Sequence, residues 1–118
     1  MSGPPNIIML KNVRTHTFRG KSWKIKNTHG RAKYAGDCDP PVTKDKVMHL
    51  KMHSWTRDDL DTILHECLHA CFWDLSEDAV TEYADATSKL LFRLGWRNVN
   101  DVIDRIKLFN NKKLKLRG

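Results

Sequence analysis

Between Thr56 and Trp73 the chain reads TRDDLDTILHECLHACFW, and no other stretch limits the possible folds as tightly. It opens as a helix should. Thr56 followed by Asp59 resembles a capping box with Asp in place of Glu or Gln, and Asp58, Asp59 and Asp61 lie where the helix dipole favours acids. At about 100° per residue with His65 at the origin, His69 falls at about 40° and Phe72 at about 340°, while Leu60, Ile63, Leu64, Cys67 and Cys71 fall between about 160° and about 260°. The helix is therefore expected to be central and mostly buried, with an apolar back set into a core and both histidines on its front.

His65, Glu66 and His69 spell H-E-x-x-H. Three fixed residues can match by accident, as surface or core histidines. A buried His pair needs a partner, however, and two imidazoles four apart on one helical face grip a single metal ion. A tetrahedral zinc held by two His leaves room for a third protein ligand and a water, whose proton the neighbouring Glu66 takes as general base. Two His and a carboxylate with an open position suit Zn2+.

The 118 residues predict one domain, residues 1–110, followed by a basic C-terminal tail, 111–118. No apolar run approaches the roughly 20 residues that span a bilayer, and Met1 to Leu10 lacks the basic and apolar regions of a signal peptide. Three cysteines, with Cys67 and Cys71 on the apolar back of the helix, read as free thiols in a reducing cytoplasm. A cluster including Cys38 is the weaker alternative, since no C-x-x-C is present. The net charge of +7 is uneven: basic residues outnumber acidic ones ten to three in residues 1–50 and seven to two in 95–118, against four to nine in 51–94. Basic ends admit a nucleic-acid or acidic-protein partner, although a solvated surface accounts for them as simply.

Along the chain, Met1 to Pro5 is expected to fray and Asn6 to Leu10 to form a short strand or turn of helix. Thr15 to Lys26 alternates around Phe18, Trp23 and Ile25 and turns at Gly20, as a hairpin does. Thr28 to Thr43 is rich in Gly, Asp and Pro and reads as loop. His16 and His29 in this region read as surface residues. Lys46 to His53 alternates with period two, Met48, Leu50 and Met52 on one face and His49 and His53 on the other, which predicts an exposed edge strand beside the site, to which an extended substrate would add. After a tight corner at Asp74 and Leu75, Ser76 caps a second helix that ends at Gly95, with Val80, Tyr83, Ala84, Thr87, Leu90, Leu91 and Leu94 as its packed face. Asn98 or Asn100 begins a third helix to about Phe109, with Val102, Ile103 and Ile106 inward.

The segment from VMHLKMHSW through DLDTILHECLHACFWDLSEDAVTEYADATSKLLFRLGW resembles the small zincin-type metallopeptidase-like proteins frequent in bacteriophage genomes. In these a strand, an H-E-x-x-H-A helix and a D-L-S corner into a further helix follow in that order. His65 to Ala70 is also similar to the motif of SprT-like proteases, whose third ligand is a downstream His; this chain has no His after His69. Closer is the ImmA/IrrE type, in which a Glu begins an E-x-x-A-x-x-[FY]-A helix. Glu77, Val80, Tyr83 and Ala84 fit that pattern, with Val for the first Ala. The resemblance implies an α+β zincin-like mini-domain, a small mostly antiparallel sheet packed on two or three helices with the H-E-x-x-H helix central. It also implies a zinc metallopeptidase acting on a peptide or protein, in the host cytoplasm if phage-encoded.

Four carboxylates compete for the third ligand position. With Val80 at the origin and about 100° per residue, Glu77 lies at about 60°, beside the apolar stripe, while Asp78 lies at about 160°, Asp85 at about 140° and Glu82 at about 200°, on the solvent side. Glu77 is the expected ligand and Glu82 the second choice. The plainer account of Glu77 is an acid complementing a helix N-terminus. In the other class of function, the same fold keeps the metal as a binding protein for nucleic acid or a host protein.

Overall fold

The computed structural model describes residues 13–27, 36–52 and 56–117. The expectations for residues 1–10, His29 and His53 lie outside these. The described elements are β1 (Thr15–Phe18), β2 (Lys21–Asn27), β3 (Gly36–Cys38), β4 (Val47–Leu50), α1 (Arg57–Cys71), α2 (Glu77–Arg93) and α3 (Val99–Arg117). The fold is α+β. Its sheet has the order β1-β2-β4-β3, with β1–β2 and β3–β4 antiparallel and β2–β4 parallel, so two of three pairings are antiparallel.

The first hairpin forms where the alternation places it. Arg19 and Gly20 both take positive φ, 50° and 81°, the conformation of a two-residue turn whose twist matches that of the flanking strands. The Arg19 guanidinium donates to the Cys71 carbonyl at 2.8 Å and lies over the Phe72 ring, tying the hairpin to the last turn of α1. Trp23, Cys38, Met48 and Leu50 of the sheet bury themselves against Ala70 of α1, with Ile25 and Ile63 at the margin. The Trp23 indole N–H is satisfied by the Asp39 carbonyl at 3.0 Å.

Two strand expectations change. Met48 and Leu50 are buried as the alternation requires, but β4 is an inner strand, paired on both sides. The described edge next to β4 is β3, in a segment that reads as loop. Its three residues, Gly-Asp-Cys, have poor strand propensity, and pairing with β4 holds them extended.

α1 begins at Arg57 with Thr56 in the extended N-cap conformation, yet the Thr56 side chain makes no capping hydrogen bond. It ends at Cys71 rather than Trp73, where the Phe72 N–H donates to the Leu68 carbonyl. The expected apolar back is only half-buried. Fully buried on α1 are Asp59, Glu66 and Ala70, because the sheet meets the helix along its Ile63–Glu66–Ala70 side.

α2 has the ends expected of it. The Ser76 hydroxyl accepts from the Ala79 N–H at 3.1 Å, and Gly95 at φ 101° lets its own N–H reach the Phe92 carbonyl while that of Trp96 reaches Leu91. These two bonds make a Schellman motif. The packed face is turned from the expected one. Val80, Ala84 and Ser88 are fully buried, whereas Tyr83, Leu90 and Leu94 are exposed. Ala84 and Ser88 beside Val80 keep that face narrow, and larger apolar side chains on the flank are left in solvent. Ser88 tolerates burial because its hydroxyl donates to the Asp85 carbonyl at 3.0 Å and accepts from Arg57 at 3.5 Å. Asp85, expected on the solvent side, pairs with Arg57 of α1 at 3.1 Å and with Lys89 at 2.8 Å.

α3 runs past Phe109 to Arg117, through the residues expected to form a loose tail. Val102 and Ile106 are exposed rather than inward, and Ile103 is half-buried. Among the described residues no helix is long and apolar enough to cross a membrane.

The position of the α1–α2 seam gives a test. Ala84→Leu forces extra carbons into a closed contact and should destabilise the fold by about 1–3 kcal/mol, while Leu90→Ala on the exposed flank should stay within about 0.5 kcal/mol of wild type. Urea unfolding of the two variants measures both.

Candidate metal centre

The five residues between α1 and α2 fold the second helix back so that its first residue faces the front of the first. Glu77 reaches both histidines: Oε1 lies 2.8 Å from His65 Nε2, and Oε2 lies 3.0 Å from His69 Nε2. The two Nε2 atoms are themselves 3.1 Å apart. The helical spacing in α1 brings the imidazoles together, and the short corner brings the carboxylate. Among the described residues this is the group of His, Cys, Asp and Glu side chains whose ligand atoms converge closely enough to hold a metal ion. Glu82 is exposed elsewhere on α2 and Cys38 is outside the group.

The azimuth of Glu77 predicts a side chain facing the core, and it is instead 67% exposed, over the mouth of the site. It reaches the histidines from above rather than from the buried seam. The histidine side chains are 19% and 15% exposed.

Protons on the imidazoles cannot satisfy this triangle while Glu77 is a carboxylate. With a hydrogen on both Nε2 atoms, each donates to Glu77 and the two N–H groups oppose one another. With a hydrogen on one, the other nitrogen turns its lone pair towards a carboxylate oxygen. With Glu77 ionised, one contact of the three is repulsive in each case, whereas a cation at the centre accepts from all three lone pairs. The dimensions fit. Zinc bonds of about 2.0–2.1 Å in tetrahedral geometry separate ligand atoms by about 3.3 Å, so the observed 2.8, 3.0 and 3.1 Å need only open by a few tenths of an ångström.

Glu66 points from the same helix into the groove beside the triad. It is 6% exposed, and among the described residues nothing donates a hydrogen bond to its carboxylate. Burial first, then the charges of Asp37 and Glu77, push its pKa up to about 7. Gly36 of the edge strand makes that placement possible. A Cβ on residue 36 would stand 2.9 Å from both Cγ and Oε2 of Glu66 and 3.0 Å from Thr62 Cγ2.

The groove has a volume of about 780 Å³ and runs between α1, the β3 edge and the start of α2. Asp37 and Cys38 line it from the strand, Asp58, Asp61 and Thr62 from the helix, and Trp73 and Leu75 from the corner. The Trp73 ring lies 5.8 Å from that of His69. Burial, then the Asp85 charge, raises the Asp61 pKa, and burial above all pushes the Cys38 thiol up to about 12. Asp61 is readable in the sequence as a lining residue, being one turn before His65 on the same face. Gly36 and Asp37 carry no such signal, since their place depends on a strand pairing that local composition argues against.

No family model matches the chain, and neither the curated proteins nor the solved structures contain a match to it.

The burial of Glu66 has a measurable cost. Its pKa is raised in the folded state, so between the ordinary carboxyl value of 4.5 and about 7 the folded protein holds a proton that the unfolded chain has released. Stability therefore falls as pH rises through that window. In protein stripped of metal, Glu66→Gln should be more stable than wild type at pH about 8, by on the order of 2 kcal/mol, and equal to it at pH about 4. Thermal melts at the two pH values check this.

Proposed function

We propose that the chain is a zinc-dependent peptidase of the zincin type, with His65, His69 and Glu77 holding the ion and Glu66 as general base. The observation that supports the reading is the triangle of His65, His69 and Glu77 ligand atoms, which converge closely enough for one cation to satisfy all three while Glu77 is ionised. When bound, zinc supplies a Lewis acid that polarises the scissile carbonyl and makes water a nucleophile near neutral pH.

The protein's own groups do the rest. Glu66 takes a proton from the attacking water as its oxygen bonds to the carbonyl carbon, then delivers that proton to the amine as the C–N bond breaks. Buried and without a hydrogen-bond partner among the described residues, the carboxylate suits that role. Among the described residues β3 pairs only with β4, and its other edge would offer backbone groups to an extended peptide joining the sheet as a further strand. Gly36 keeps the approach between that strand and Glu66 clear.

Purified protein should bind one equivalent of zinc by metal analysis, with the metal lost in His65→Ala and weakened at least tenfold in Glu77→Ala, while Glu82→Ala leaves binding unchanged. Glu66→Gln should keep the metal and lose at least about 100-fold in peptide hydrolysis, the scale of a general base. Hydrolysis at near wild-type rate in Glu66→Gln would refute the mechanism, and tight zinc in Glu77→Ala would refute the ligand set.

A further inference from the structure

The groove is acidic in a protein that is not. The chain carries 21 Lys and Arg against 14 Asp and Glu. Yet five carboxylates line this one groove, and among the described residues no Lys or Arg does. Two of the five, Glu66 and Glu77, belong to the candidate centre. Asp58 is near Arg57 at 3.7 Å. That leaves Asp37 on the β3 wall and Asp61 on the α1 wall, neither of which has an ion-pair partner among the described residues.

A second observation points the same way. Glu66 is 6% exposed, lines the groove and accepts no hydrogen bond from any described residue. A buried carboxylate without a partner is costly to keep, and with none among the described residues, the groove is where one would come from.

Taking the groove as a peptide site, we propose that it selects cationic peptide, with a Lys or Arg side chain of the substrate facing Asp37 and Asp61. The helix sets the distance. Asp61 is four residues before His65, about 6 Å along the axis at about 1.5 Å per residue. An extended peptide advances about 3.3 Å per residue, so the favoured cation lies one or two residues from the bond that is cut. Selection is local, because the field of the whole molecule acts against it: a net charge of +7 attracts anionic ligands and repels cationic ones. A preference for positive charge can come only from the groove.

The test uses two labelled twelve-residue peptides, identical except for two central Lys or two central Glu, titrated onto the full zinc-loaded chain by fluorescence anisotropy. Mass spectrometry follows whether either is cut. The Lys peptide should bind about tenfold more tightly at about 50 mM salt, with the gap narrowing at about 300 mM as screening sets in. Asp61→Lys and, separately, Asp37→Lys should each abolish or reverse the preference, with melting curves as the control for folding. Asp37 lies on an exposed strand edge, so its variant remains informative should Asp61→Lys fail to fold. Tighter binding of the Glu peptide, absence of binding by both, or an unchanged preference in folded variants overturns the proposal. A Lys preference without cleavage would instead count against the peptidase reading and leave this one standing.

Discussion

Everything at the candidate centre depends on how closely α1 and α2 lie together. Val80, Ala84 and Ser88 are the fully buried residues of α2, and the last two are small enough to suit a close contact with α1. Two polar ties bracket that seam. At one end Glu77 joins His65 and His69, and at the other Arg57 joins Asp85 and Ser88. The spacing agrees on both helices: eight to eleven residues separate Glu77 from the second tie on α2, and eight to twelve separate His65 and His69 from Arg57 on α1. An antiparallel pair held at both ends cannot slide without breaking one tie. The register that brings a carboxylate to two imidazoles is thus held by a salt link roughly three turns away.

The sheet plays the complementary part. Its face buries Trp23, Met48 and Leu50 against Ala70 and anchors α1, while its edge supplies one wall of the groove. Burial of Glu66 arises from the same docking, because the side of α1 that meets the sheet includes Glu66, whose other flank lines the groove. The helix is thereby fixed by apolar contact on one side of Glu66 and open to the groove on the other. The cost of an ionisable side chain at that boundary falls on stability, and surrounding contacts have to offset it.

What was legible in the sequence was chiefly local. The His65–His69 pair, the Ser76 cap, the Gly95 terminator and the turn at Gly20 each follow from a few neighbouring residues whose physics does not depend on the rest of the chain. Glu77 as the residue beside the histidines was also readable, from its place just after the short corner together with the family likeness, although the core-facing azimuth offered for it did not hold. The rotation of α2 was not. A hydrophobic wheel weights Tyr83, Leu90 and Leu94 heavily and Ala84 and Ser88 hardly at all, whereas close helix packing rewards smallness. Nor was β3 legible, because Gly36 and Asp37 become strand only through pairing with β4. The reach of α3 to Arg117 escaped for a related reason: a run of Lys and Leu without a cap looks like a tail although each residue is a good helix former.

Gly36 makes the edge strand proofread its own alignment. A strand that slips by one residue turns every side chain to the opposite face, and here the slip would set either Ala35 or Asp37 where there is no space for a Cβ. Ala35 would collide with Glu66 and Thr62; Asp37 would add a second carboxylate against the first. A three-residue strand has few hydrogen bonds with which to specify its partner position. The missing side chain does so instead, and β3 finds its place by the only residue that can pass.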